Sequence, residues 1–169
     1  MEAQTPAGKD VVGMWLRKIC RWFAVVGGVV LVAMTLMSVA SIIGRSLFGK
    51  PVLGDFELIQ IGTAICVAAF LPLCQMEGGN IIVDFFTVRS SDRVQGWLDL
   101  FGALLLSAVM LLVAWRTGAG ALTVKASGET SMIMGFPSWI GYAFMAPGFA
   151  LTAVAALYSA YCAWRRTRS

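Results

Sequence analysis

The sequence predicts an all-α integral membrane fold of four transmembrane helices with short interfacial helices. Three observations carry that prediction. Of the 169 residues, 59% are hydrophobic and 13% charged, more apolar surface than a soluble core of this size can hide. The apolar residues fall in four long, nearly uncharged blocks rather than in amphipathic alternation. A hydrocarbon core of about 30 Å asks for about 20 such residues in helical form. The basic residues gather at the block ends and the tails, which is where topology signals belong. The whole chain, residues 1–169, is therefore expected to be one four-helix transmembrane domain packed as a compact bundle.

In chain order, residues 1–10 are short and polar. Val11 to Arg21 alternates Trp15, Leu16, Ile19 and Trp22 with Arg17, Lys18 and Arg21, a pattern expected of a short helix lying in the membrane interface. The first span is placed at about 22–44. It is too long for the apolar part of a signal peptide and is expected to stay as an anchor. A connection punctuated by Gly49, Pro51 and Gly54 returns the chain. The second span covers about 58–75, with Pro72 kinking or ending its last turns. Residues 80–88 place Ile81, Ile82, Phe85 and Phe86 on one helical face, which predicts a second short interfacial helix, and Ser90 or Ser91 then caps the third span at about 94–115. That helix can continue outward as far as Gly128. Asp99 lies close enough to its end to reach the headgroups or a partner. Pro137 opens the fourth span, about 138–164, in which Ala146, Ala150, Ala153, Ala156 and Ala160 recur at steps of three or four. Such a ridge suits either packing inside the bundle or docking of a partner.

Counting Lys and Arg gives nine on the side of the two termini and four on the other. The positive-inside rule then places both termini, and the 77–93 connection, in the cytoplasm. The absence of histidine removes imidazole ligation of haem, zinc and copper and every triad with an imidazole base. The cysteines at 20, 66, 74 and 162 are too dispersed for a metal or redox motif and are expected to be small packing residues. No basic stripe with interleaved aromatics suggests nucleic acid. The middle third of each span carries no charge, whereas a solute pathway usually needs polar or ionisable groups there. No catalytic, cofactor-binding or metal-ligating residues are expected. Ionisable groups cluster instead at the rims, where Arg45 and Glu57 face each other across a tight hairpin, either as an ion pair or as contacts to another subunit.

Several motifs recur in a recognisable order. They are Gly44-Arg45-Ser46-Leu47-Phe48-Gly49-Lys50-Pro51-Val52-Leu53-Gly54-Asp55-Phe56-Glu57, then Gly79-Asn80-Ile81-Ile82-Val83-Asp84-Phe85, then Gly128-Glu129-Thr130-Ser131, Pro137-Ser138-Trp139-Ile140-Gly141-Tyr142 and Pro147-Gly148. The chain resembles the small membrane subunit, DctQ-like, of tripartite ATP-independent periplasmic (TRAP) transporters. It departs from many relatives at Asn80, where they carry histidine. The resemblance implies a non-catalytic scaffold of a secondary transporter in the bacterial inner membrane, importing an organic acid by symport, typically with sodium. Its partners would be a large multi-span permease subunit, a periplasmic solute-binding protein and membrane lipids. Arg45, Pro51, Gly54, Glu57, Asn80, Asp84, Ser131, Pro137 and Trp139 become the candidates for structural or partner contacts. Two rivals are a self-sufficient four-helix exporter and a membrane anchor of a respiratory complex. The first would want a membrane-embedded glutamate, yet Glu2, Glu57, Glu77 and Glu129 all lie outside the spans or at their edges; the second, in its haem-bearing forms, would want histidine.

Overall fold

The computed structural model describes residues 11–49, 53–78 and 92–168. They form four helices: α1 (Val11–Phe48), α2 (Asp55–Met76), α3 (Asp92–Ser127) and α4 (Trp139–Arg168). All four are long and apolar enough to cross a membrane. Pro51, Asn80, Asp84, the expected 80–88 helix and the Ser90/Ser91 cap lie outside the described residues.

The separate interfacial helix expected over residues 11–21 is instead the first third of α1. With no proline between Val11 and Phe48, nothing interrupts the backbone hydrogen-bond ladder, so 38 residues run as one rod of about 57 Å. A turn follows in which Gly54 takes a left-handed φ of 76°, a conformation glycine adopts at no steric cost. Leu58 N–H then closes the first bond of α2 onto the Gly54 carbonyl at 3.1 Å. Asp55 and Glu57 occupy the first turn of α2, where the helix dipole favours negative charge. Pro72 is buried inside the last turns of α2 without ending it, and the helix closes at Glu77 and the left-handed Gly78.

Helix α3 continues past its expected end at 115 and stops at Ser127, before Gly128 with φ 68°, which is the outward continuation the sequence allowed. Residues 129–138 fold back as a small hairpin. Ser131 N–H bonds the Phe136 carbonyl at 2.8 Å and Ser138 N–H bonds the Glu129 carbonyl at 3.2 Å. Helix α4 runs unbroken through Pro147.

The helices do not close into the expected compact bundle. Helix α2 sits between α1 and α4, α4 sits between α2 and α3, and α3 makes no substantial contact with α1 or α2. The spatial order is α1, α2, α4, α3. The most apolar windows of the flanking helices α1 and α3 are only 6% and 11% buried, against 28% and 33% in α2 and α4.

Small residues make the central contacts possible. The Gly148 backbone lies so close to α2 that an added Cβ would stand 2.4 Å from the Ala68 carbonyl oxygen. Gly27 on α1 comes close to Ala69, and the Cys66 thiol donates to the Gly27 carbonyl at 3.3 Å. On the α4 ridge Ala153, Ala156 and Ala160 are buried while Ala146 and Ala150 are partly covered, so most of the ridge is used inside the molecule. Cys20 and Cys66 are buried packing residues as expected, but Cys74 is exposed. Thr35, Ser38 and Thr152 return their hydroxyls to their own helices. Ser107 does not: its hydroxyl donates across to the Ala153 carbonyl at 3.0 Å and ties α3 to α4.

Candidate functional site

Two turns meet at the end of the molecule opposite the termini: the α1–α2 corner and the 129–138 hairpin. At the corner, buried Ser41 donates its hydroxyl to Asp55 Oδ2 at 2.5 Å, and the Phe56 N–H donates to Oδ1 at 2.7 Å. Arg45 approaches the same carboxylate, with Nη2 4.0 Å from Oδ2 and 68% of its side chain exposed. The expected Arg45–Glu57 ion pair is therefore replaced by Arg45–Asp55. Residues two apart on a helix point to nearly opposite sides, so only one of the two carboxylates can face α1.

Glu57 turns the other way and holds the hairpin. The Ser131 hydroxyl donates to Glu57 Oε2, and the Ile133 N–H donates to Oε1 at 3.1 Å. Ser131 in turn accepts from the Met134 N–H at 3.4 Å and supplies its carbonyl to the Gly135 N–H at 3.1 Å. One carboxylate and one hydroxyl thus satisfy donors of a turn that has no regular secondary structure of its own. Gly54 completes the seat, since a Cβ there would fall 2.2 Å from Met134 Cγ. At the base of the hairpin Pro137 forms an isolated antiparallel bridge with Thr130, and its carbonyl accepts from Ile140 N–H at 3.2 Å, starting α4. The Lys125 ammonium lies 5.0 Å from the centre of the Trp139 ring and joins the end of α3 to the start of α4.

The structure thus brings five of the candidates, Arg45, Gly54, Glu57, Ser131 and Pro137, to one rim, with Trp139 directly beneath. Ser41 and Asp55 also belong to it. Their signal was present as a serine in the last turns of one helix and an acid in the first turn of the next, but their pairing depends on how α1 is rotated. Leu53, Phe56, Met132 and Ile133 project apolar side chains from the same rim, each more than half exposed. No group of three or more metal-ligating side chains occurs among the described residues. What this rim can do is hold two connections rigidly and present an apolar surface.

The buried hydroxyl, rather than the ion pair, should carry the corner. Arg45→Ala is expected to lower the unfolding midpoint of the purified chain by less than roughly 3 °C, as for other exposed pairs. Ser41→Ala should lower it more, because the carboxylate loses its shortest hydrogen bond. Thermal scans in detergent followed by circular dichroism measure both, and an equal or larger loss from Arg45→Ala would return the corner to the ion pair.

No curated protein and no solved structure matched the chain. A family profile did, described as tripartite ATP-independent periplasmic transporters, DctQ component, and it matches residues 34–166. That stretch takes in the C-terminal part of α1, all of α2 and α3, both corners of the rim and nearly all of α4. The chain belongs to the DctQ component family of tripartite ATP-independent periplasmic transporters.

Proposed function

We propose that this chain is the non-catalytic scaffold subunit of a TRAP-type symporter that imports an organic acid across the bacterial inner membrane. It would hold a large multi-span permease subunit and, with it, receive a periplasmic solute-binding protein, with both termini in the cytoplasm. The open flanks of the helix array are the observation that carries this reading. Added Cβ atoms at Gly28 on α1 and at Gly102, Gly118 and Gly120 on α3 would meet nothing within 4 Å. Lipid tails are as apolar as leucine, so an apolar flank alone needs no partner; glycines on such a flank suit the close approach of another helix. The uncharged middle thirds of the spans add to this reading, since a scaffold needs helix faces but no midplane binding group. The nine-to-four division of basic residues supports the orientation, which puts the Glu57–Ser131 rim on the periplasmic side.

Reconstitution tests the proposal. The lone chain in liposomes is expected to take up no organic acid under a sodium gradient, while co-reconstitution with the large subunit and binding protein restores uptake. Uptake by the lone chain would overturn the scaffold assignment.

A further inference from the structure

At the end of the molecule that carries the termini, the first third of α1 and the first half of α3 flank the last half of α4 without packing against each other. The wedge between them is a groove of about 540 Å³ whose walls are almost wholly apolar. Val12 and Leu16 of α1 form one side, Leu100 and Leu104 of α3 the other, and Leu157 and Tyr161 of α4 lie along the floor. Their spacing on each helix is one turn, so the groove runs along the helices rather than across them. A lipid tail lies the same way.

The mouth of the groove differs in chemistry from its walls. Arg165 lies one turn beyond Tyr161 on the floor stripe, with its guanidinium 5.8 Å from the centre of the Tyr161 ring. On α3, Trp97 is three residues before Leu100 and is 62% exposed, a placement typical of the headgroup level. Basic residues outnumber acidic ones at this end. Arg17, Lys18 and Arg21 lie in the first third of α1, Arg93 opens α3, and Arg165, Arg166 and Arg168 close α4, against Glu77, Asp92 and Asp99 in the described residues. An apolar groove with the Arg165 guanidinium at the end of its floor fits part of an acyl chain that carries an anionic headgroup.

We propose that the groove between α1, α3 and α4 is a binding site for one anionic phospholipid, its tail between Leu104 and Leu157 and its phosphate at Arg165. This goes beyond the scaffold reading and does not depend on it, because the site is complete within one chain. Phospholipids in a bilayer exchange freely along a featureless helix surface; a fitted groove with a charged mouth retains one of them and selects by headgroup.

Native mass spectrometry of the full chain tests this, after reconstitution with phosphatidylglycerol or phosphatidylcholine of matched chains and extraction into mild detergent. One phosphatidylglycerol per chain is expected to remain bound, with phosphatidylcholine retained less. Leu104→Trp, a change at a half-exposed position, should fill the groove and abolish retention of both. Arg165→Gln should leave the tail site intact but lower phosphatidylglycerol retention roughly fivefold, toward the phosphatidylcholine level. Circular dichroism verifies that both variants keep their helices. Equal retention of the two lipids by the unaltered chain, retention unchanged in Leu104→Trp, or loss of the lipid when the large subunit binds would each overturn the proposal, the last by making the groove a protein contact. None of these readouts uses transport, so they stand apart from the uptake assay.

Discussion

Gly148→Ala is expected to destabilise the purified chain by about 1–3 kcal/mol, the usual cost of adding a methylene where none fits. The new Cβ would stand 2.4 Å from the Ala68 carbonyl oxygen and 2.8 Å from its carbon. Both are backbone atoms of a helix interior and cannot rotate aside, so α2 and α4 must separate along their contact. Two other glycines set the scale. At Gly62 an added Cβ meets Met34 Sδ at 2.0 Å, but a thioether at the end of a flexible side chain can move, so Gly62→Ala should cost less. At Gly28 nothing lies within 4 Å, and Gly28→Ala should be close to neutral in the isolated chain. Unfolding in mixed micelles of a mild detergent and dodecyl sulfate, followed by tryptophan fluorescence, ranks the three variants. Equal losses would mean that close approach of α2 and α4 is not what holds the centre together.

Glu57→Gln should release the 129–138 hairpin from the α1–α2 corner. The amide can still accept from the Ile133 N–H, but its nitrogen has no lone pair for the Ser131 hydroxyl, and the charge that strengthens both bonds is gone. Losing a charge-assisted bond in a turn otherwise held by a few contacts should raise local opening at least roughly tenfold. Hydrogen exchange at the Ile133 and Met134 amides reads this directly, as does limited proteolysis after Met132, which is almost fully exposed. Ser131→Ala should reproduce much of the effect. Unchanged exchange in both variants would show that the hairpin is held by its own backbone bonds and by Met134 against Gly54.

Much of the fold was legible because bilayer thickness constrains helix length so strongly. The four apolar runs, the stop at Gly128 and the start after Pro137 all appear in the structure near their expected places. The continuity of α1 was not legible. Trp15, Leu16 and Ile19 between Arg17, Lys18 and Arg21 give the same pattern whether that segment lies flat on the membrane or extends the span. Neighbour relations were also hidden, since apolar helices in lipid do not advertise which face meets which helix. Close approaches such as those at Gly27, Gly62 and Gly148 record them, and chain spacing does not reveal their partners. At the rim the candidates Arg45, Gly54, Glu57 and Ser131 stood out as polar groups or glycines beside helix ends. The exchange of Asp55 for Glu57 opposite Arg45 was beyond reach, because a rotation of α2 decides it.

The order of the helices in space, α1, α2, α4, α3, differs from their order along the chain, and this has a consequence for biogenesis. A polypeptide made from its N-terminus delivers α1 and α2 first, and these can pair as soon as both have entered the bilayer. Helix α3 arrives next and finds no neighbour that it packs against substantially in the finished molecule, since its tie through Ser107 is to Ala153 on a helix still inside the ribosome. The last segment must then slide between two that are already in place, with Gly148 seated against Ala68 on one side and Ala153 against Ser107 on the other. Until that insertion, the growing chain consists of one assembled pair and one waiting helix. Membrane insertion factors and quality-control proteases would meet the molecule in that state.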